Sequence, residues 1–204
     1  MSRPSQARGF NLIEVLIGLV VLGVLFAAGL PTVTAWLQST QVRTSAEAVI
    51  SGLQLARTEA VRRNRSVQFS LTDTLSAGCA PSLTGTNWVI SLVDPTGACN
   101  ATPSDTAAPQ ILQKRNGQEG SPNATVTTTS SVVTFNALGR PTAGGGATID
   151  IKSSQGTCQG AAGQIRCLRI SVGSSGSARM CDPAVTDATD SRCCFNSTNT
   201  VCVP

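Results

Sequence analysis

The chain has 204 residues, a formal net charge of +4, 13% charged residues and 41% hydrophobic residues. This composition excludes a disordered acidic or basic tail protein and is sufficient for one modest globular domain plus an accessory segment. The net charge is too small to predict a polyanionic partner by itself.

An apolar run, FNLIEVLIGLVVLGVLFAAGL, begins at Phe10 and ends at Leu30. A helix of this length spans about 30 Å, which is the thickness of the hydrocarbon core of a bilayer. The preceding residues 1–9 are short and basic through Arg3 and Arg8. The positive-inside rule therefore predicts that this segment stays in the cytoplasm and that the rest of the protein reaches the periplasm.

Glu14 is the single charged residue in this apolar run. An acidic side chain there costs about 2.5 to 3.5 kcal/mol on insertion scales, so we expect it to have a function and a partner. The alternative is an ordinary secretory signal peptide that is cleaved near Ala27 and Ala28 and lost whole. The length of the run and the presence of Glu14 argue against that alternative.

The sequence Gly9-Phe10-Asn11-Leu12-Ile13-Glu14 resembles the class III signal of type IV prepilins, with Asn11 where Thr is usual. The resemblance implies that a membrane peptidase cuts after Gly9 and N-methylates Phe10, while the apolar helix is kept. Loss of Arg3 and Arg8 lowers the formal charge from +4 to +2. The resemblance to type IV prepilins also implies that Glu14 pairs with the Phe10 amine of an adjacent subunit, because an acid buried among apolar helices needs a cation.

A second helical pattern follows Pro31, which we expect to bend the helix without ending it. Apolar residues recur at spacings of three and four up to about Arg63, which predicts an amphipathic helix packed on the C-terminal half of the chain. The apolar residues are Val33, Trp36, Leu37, Ala46, Val49, Ile50, Leu53, Ala56 and Ala60.

The segment LQLARTEAVRRN at residues 53–64 resembles the hallmark of the GspH/FimT family, which includes type II secretion pseudopilins and minor pilins of type IV pili. The segment VTFNALGR at residues 133–140 resembles another part of that family, a strand that leads into a turn at Gly139. A basic cluster at the helix end has two interpretations, stabilisation of the helix C-terminus or contact with DNA phosphates or an acidic neighbour. Its members are Arg57, Arg62, Arg63 and Arg65.

After residue 64 the pattern becomes alternating, with short runs rich in β-branched residues separated by turn formers. Seven strands are predicted, at residues 66–71, 87–93, 110–114, 124–127, 131–136, 147–152 and 166–172. The predicted fold class is α+β, a long N-terminal helix on an antiparallel β-rich domain. The predicted organisation is a leader at 1–9, a transmembrane and assembly helix at 10–31, a stalk helix at 32–64, and a periplasmic domain at 65–204 with a Cys-rich tail from about 173.

Eight cysteines without a C-x-x-C pair and without histidine indicate disulfides in an oxidising compartment rather than a metal site. Sequence proximity predicts the pairs Cys79–Cys99 and Cys158–Cys167, and each pair closes a loop between strands. The pairing of the other four stays open. They are Cys181, Cys193, Cys194 and Cys202.

The segment GSARMCDP at residues 176–183 lies where FimT-like family members carry a Gly-Arg-x-Arg motif. In some of those proteins this motif is implicated in DNA binding. This chain keeps Gly176 and Arg179 but has Ser177 in place of the first arginine. Fewer phosphate contacts and few aromatic residues weaken a DNA-binding interpretation. The residues that could carry it are Arg166, Arg169, Arg179 and Arg192.

These observations predict a filament subunit rather than an enzyme, with no cofactor and no metal. Its expected partners are other pilins through the N-terminal helix, the prepilin peptidase and the inner membrane, with DNA as a further possibility. The main hypothesis is a minor type IV pilin that acts in filament initiation or at the tip. The alternatives are a type II secretion pseudopilin of the GspH kind and a DNA-binding minor pilin for transformation.

Overall fold

The computed structural model describes residues 11–142 and 146–194. Helix α1 runs without interruption from Leu12 to Arg63. Asn64 ends it in the left-handed conformation, with φ of 49°, and its backbone N–H bonds to the carbonyl groups of Ala60 and Val61. The helix therefore continues through position 31, as predicted, and it ends at the predicted residue.

Within the described residues, eight strands and one short 3₁₀ helix follow α1. The strands are β1 Val67–Thr72, β2 Asn87–Ser91, β3 Ile111–Arg115, β4 Ala124–Thr128, β5 Val132–Phe135, β6 Thr148–Ser153, β7 Leu168–Val172 and β8 Ala178–Cys181, and the 3₁₀ helix is Gln159–Ala161. All seven predicted strands are confirmed to within two residues at each end. Strand β8 was not predicted.

The strands form two antiparallel four-stranded sheets, and both pack on α1. Sheet A has the order β3-β2-β1-β5, and sheet B has the order β4-β6-β7-β8. In sheet A, Phe69 lies opposite Ile90 and Val133, while in sheet B Ile149 lies opposite Ile170. The mixed α+β class with a long N-terminal helix is therefore confirmed.

The main core lies between the C-terminal half of α1 and the inner faces of the two sheets. The helix contributes buried residues at alternating spacings of four and three, namely Val42, Ala46, Val49, Leu53, Ala56 and Ala60. A small helix residue lets sheet A pack closely on α1. At Gly52, an added Cβ would lie only 2.8 Å from the ring of Phe69. The Phe69 and Trp88 rings are 5.6 Å apart, centroid to centroid.

The predicted apolar stripe of the stalk is wrong at its beginning, because Val33, Trp36 and Leu37 are exposed by 54, 67 and 47%. Hydrogen bonds tie the globular domain to the helix at Gln38 and Ser39. There the Ser153 hydroxyl donates to Gln38 Oε1 at 2.9 Å, and the backbone N–H of Arg166 donates to Ser39 Oγ at 3.1 Å. The first turns of the stalk are therefore less covered by the domain than the part of α1 from residue 41 onward.

A second, smaller core covers the outer face of sheet A. Cys79, Val89, Cys99 and Ile111 are buried together there. The Cys79–Cys99 disulfide joins the two connections that enclose this core, one before β2 and one after it. Lys114 closes the arrangement, since its Nζ donates to the carbonyl oxygens of three consecutive residues, 99, 100 and 101, at 2.9 to 3.0 Å.

Candidate functional site: the exposed helix and the arginine clusters

The N-terminal part of α1 presents apolar side chains around its whole circumference. Every large apolar residue from Leu12 to Phe26 is more than half exposed. Beyond residue 41, by contrast, one face of the same helix is buried by the two sheets. A helix that is apolar on all sides requires an apolar environment or other helices around it.

No helical stretch within residues 11–142 and 146–194 combines the length and the apolar character that a membrane crossing requires.

Glu14 lies in the first turn of α1, where its side chain is exposed among apolar neighbours. A carboxylate is favourable at a helix N-terminus because the free N–H groups there carry partial positive charge. Asn11 is the N-cap residue, and its carbonyl accepts the backbone N–H of Glu14 at 3.0 Å. The predicted processing residues Gly9 and Phe10 lie outside the described residues.

The arginines of the basic cluster at the end of α1 make different contacts. Two of them, Arg62 and Arg63, pair with carboxylates. Glu59 accepts hydrogen bonds from Arg62 Nη2 at 2.6 Å and from Arg63 Nε at 2.7 Å. Arg63 also bonds to Asp105 at 2.7 Å and so ties the helix end to the loop before β3. These hydrogen bonds from Arg62 and Arg63 lower the pKa of Glu59 below its ordinary value.

Arg57 belongs to a different contact, which joins the helix to both sheets. Its Nε donates to the carbonyl oxygen of Gly139 at 3.2 Å. Gly139, with φ of +70°, lies in the turn after β5, and Gly176, with φ of +80°, lies in the turn between β7 and β8. The two turns are so close that a Cβ at Gly176 would lie 1.9 Å from the Gly139 oxygen. The predicted turn at Gly139 is therefore confirmed.

Three of the four arginines proposed for DNA binding form salt bridges within the chain. Arg166 pairs with Asp182 at 2.7 Å, and Arg169 pairs with Asp150 at 2.6 Å. Arg192 pairs with Asp190, and hydrogen bonds from Arg192 lower the pKa of Asp190 to about 2. These salt bridges reduce the positive charge that the three arginines can offer to a phosphate backbone.

The structure brings these four arginines to two different places. Arg166 and Arg192 line a groove of about 400 Å³ together with Trp36 and Arg43. Arg169 and Arg179 lie on the outer face of sheet B, since Arg179 is opposite Ser171 in the register of β7 and β8. Arg179 is exposed and has no salt-bridge partner within residues 11–142 and 146–194.

All seven cysteines among the described residues are disulfide-bonded. The predicted pairs Cys79–Cys99 and Cys158–Cys167 are confirmed, and Cys181–Cys194 forms a third disulfide that sequence analysis left open. Cys193 is also disulfide-bonded. Cys202 lies outside the described residues. The third disulfide holds the tail against β8, next to the Arg166–Asp182 pair.

Comparison with known proteins identifies the family. A family model described as "Type II transport protein GspH" matches residues 45–176, which is more than half of the chain. No curated protein matches the chain in sequence. Two crystal structures of the Pseudomonas aeruginosa PAO1 type IV minor pilin FimU are similar, with TM-scores of 0.47 and identities of 20 and 18%. Each covers 68% of this chain, and 90 and 87% of the FimU chains are covered.

Proposed function

This chain belongs to the GspH family, and we propose that it is a minor type IV pilin that acts in pilus assembly, as an initiating or tip subunit of the filament. The observation that carries the proposal is the helix α1. Its first part is exposed and apolar on every side, while one face of its second part is buried by the two sheets. Such a helix is suited to join a bundle of equivalent helices at the centre of a filament.

The proposal includes processing and membrane storage before assembly. The prepilin peptidase cuts after Gly9 and methylates Phe10, and residues 10–31 hold the subunit in the bacterial inner membrane with the β-rich domain in the periplasm. The sequence supports this step through the basic residues 1–9, the apolar run at 10–30 and the prepilin-like motif. The three described disulfides fit the oxidising periplasm.

Glu14 has the central role in assembly. An acid in an apolar helix bundle is strongly unfavourable unless a cation neutralises it, and the amine created by cleavage before Phe10 is such a cation. In the proposed filament, Glu14 of one subunit meets this amine on the adjacent subunit and sets the axial register between the two helices. The exposure of Glu14 in the first turn of α1 leaves it accessible for that contact.

A type II secretion pseudopilin is the alternative function, and the matching family, described as a type II transport protein, favours it. The assembly physics is the same in both cases, since both roles need the exposed helix and Glu14. The two functions differ in outcome, because one filament reaches the cell surface and the other drives export of proteins.

A deletion strain separates these functions when surface pili, twitching, exoprotein secretion and transformation are all scored. We expect loss of piliation and twitching with normal secretion, whereas a selective secretion defect would replace the proposal by the pseudopilin alternative. Complementation with Glu14→Ala should give membrane levels like those of the wild type but strongly reduced incorporation into filaments. Glu47→Ala is the matched control, because Glu47 is an exposed helical glutamate in the part of α1 that the domain covers.

A further inference from the structure

An exposed apolar patch lies on α1 a few residues beyond the apolar run of the sequence. We call it the apolar extension and define it by Val33, Trp36 and Leu37, which are exposed by 54, 67 and 47%. Residues at spacings of three and four share one face of a helix. A contiguous apolar patch on a surface marks a contact with another molecule or with a membrane.

Trp36 is the largest side chain of the apolar extension, and its chemistry suits a boundary between apolar and aqueous surroundings. The chain has two tryptophans. Trp88 lies in the core, where it is 3% exposed and its ring lies 5.6 Å from that of Phe69. Trp36, by contrast, presents its apolar ring and its polar N–H on the surface. Such a side chain is favourable where apolar groups cover the ring and water or polar groups reach the N–H.

The surface of α1 changes from apolar to polar within one turn after Trp36. Thr40 and Arg43 follow on the same face, and the Thr40 hydroxyl donates to the Trp36 carbonyl at 3.0 Å. The Arg43 side chain is 70% exposed. The globular domain is tied to the helix at the same level, where the backbone N–H of Arg166 donates to Ser39 Oγ. The apolar extension therefore ends where the domain begins.

The position of Trp36 along α1 matches the headgroup layer of a bilayer. If residues 10–30 fill the hydrocarbon core, the Trp36 backbone lies about 9 Å beyond its edge, because α1 is continuous and rises 1.5 Å per residue. Helical side chains point toward the N-terminus, so the ring lies closer to that edge, at about 4–9 Å. The interfacial layer extends about 5–8 Å beyond the hydrocarbon core on each side, and tryptophan is enriched there.

The charges beside Trp36 do not favour anionic lipid in particular. Arg43, Arg166 and Arg192 line the groove next to this ring, but each of them pairs with a carboxylate of the same chain. These salt bridges neutralise much of the positive charge that an anionic headgroup would require. A contact made by Trp36 is therefore expected to depend little on lipid charge or on salt.

We propose that the apolar extension docks in the periplasmic headgroup layer of the membrane, with Trp36 as the residue that contacts it. The proposal rests on the proposed membrane storage of the subunit and names the lipid contact that accompanies it. Lipid is favoured over a protein partner because the extension is continuous with the apolar part of α1 and lies at the depth of the headgroups. Since α1 is continuous, this contact also places Glu14, which lies about 33 Å earlier along the helix.

Depth-dependent fluorescence quenching tests this contact on the full chain in phosphatidylcholine vesicles. Trp88→Phe leaves Trp36 as the single tryptophan. We expect lipids brominated close to the headgroup to quench it about twofold more strongly than lipids brominated at the chain end, which corresponds to about 15–23 Å from the bilayer centre. Phosphatidylglycerol in the vesicles, or a higher salt concentration, should change the quenching less than about twofold.

Trp36→Phe is the matched variant and leaves the core unchanged. It should lose the lipid quenching, because Trp88 is buried within the domain. Emission of Trp36 that acrylamide quenches and brominated lipids do not would place it in water and overturn the proposal. A Trp36 that neither quencher reaches would be covered by protein, which would overturn it as well.

A reporter deeper in α1 separates the lipid contact from the proposed membrane storage. Leu19→Trp, in a chain that also carries Trp36→Phe and Trp88→Phe, places the single tryptophan near the middle of the apolar run. Lipids brominated at the chain end should quench this reporter most strongly. Quenching at position 19 but not at Trp36 would keep membrane storage and remove the headgroup contact, whereas its loss at both positions would remove both.

Discussion

Arg57 holds the carbonyl oxygen of Gly139, and Gly176 packs against that same oxygen. The contact joins three elements that are far apart in sequence: α1, the turn after the last strand of sheet A, and the turn before the last strand of sheet B. The arginine in the LARTEA segment therefore has a structural role within the domain. It positions the turn that presents Leu138 and Arg140.

We expect Gly176→Ala to destabilise the domain by about 1–3 kcal/mol, because the new Cβ meets the Gly139 oxygen at a residue with positive φ. Thermal unfolding of the disulfide-bonded full chain, followed by circular dichroism, measures the effect. Gly78→Ala is the matched control, since nothing lies within 4 Å of its Cβ position. Equal thermal unfolding midpoints for the two variants would show that the two turns can move apart without loss of folding free energy.

A second prediction concerns Gly52, where α1 meets the rings of Phe69 and Trp88. Alanine normally stabilises a helix relative to glycine by about 1 kcal/mol. At Gly52 its Cβ would lie 2.8 Å from the Phe69 ring, which is buried and cannot move away freely. We therefore expect Gly52→Ala to lower the unfolding free energy by about 1–3 kcal/mol, as overpacked core variants do.

Gly18→Ala is the comparison for this prediction, because Gly18 also lies in α1 and has nothing within 4 Å of its Cβ position. It should leave the unfolding free energy of the domain unchanged or slightly raised. A stabilising effect at Gly52 as well would contradict the close packing of helix and sheet.

The sequence was sufficient to predict the helix, seven strands and two disulfides because each of these depends on local patterns or short separations. Strand β8 was missed because Ala178-Arg179-Met180-Cys181 has no β-branched residue and follows a Gly/Ser turn. Its place in sheet B is set by pairing with β7. The Cys181–Cys194 pairing was also unpredictable, since Cys193 is adjacent and only the path of the tail distinguishes them.

The candidate site was predicted less completely than the fold. The exposed apolar helix follows from the sequence pattern alone, whereas the role of Glu14 in assembly stays a prediction. The different roles of Arg57, Arg63 and Arg65 could not be predicted, because they depend on which loops reach the helix end. The stripe that begins at Val33 was overextended for the same reason: periodicity shows that a face is apolar, but not how far the domain covers it.

Glu59 should make stability depend on pH. Its pKa is lowered in the folded protein by Arg62 and Arg63, so its contribution is fully present above the unfolded pKa of about 4.3 and is lost as pH falls through the lower folded value. We expect Glu59→Gln to cost about 1–2 kcal/mol at pH 7, since it weakens the three hydrogen bonds that Glu59 accepts from Arg62 and Arg63. Urea unfolding from pH 7 to pH 3 should show the difference from wild type shrinking below about pH 4. A difference that stays constant over this range would exclude the charge of Glu59 as its cause.

Lys114 carries the last prediction, which concerns the small core under the Cys79–Cys99 disulfide. Its ammonium donates to three consecutive carbonyl groups, those of Cys99, Asn100 and Ala101. Lys114→Met keeps most of the side-chain volume but leaves these carbonyls without their donor, which costs about 1–3 kcal/mol when the groups cannot rehydrate fully. Because the affected segment is local, hydrogen exchange should accelerate in residues 95–104 while the amides of sheet B keep their protection. Lys152→Met is the matched control, because Lys152 is exposed and, among the described residues, has no salt-bridge partner. Faster exchange across both sheets in Lys114→Met would instead mean that this lysine stabilises the whole domain.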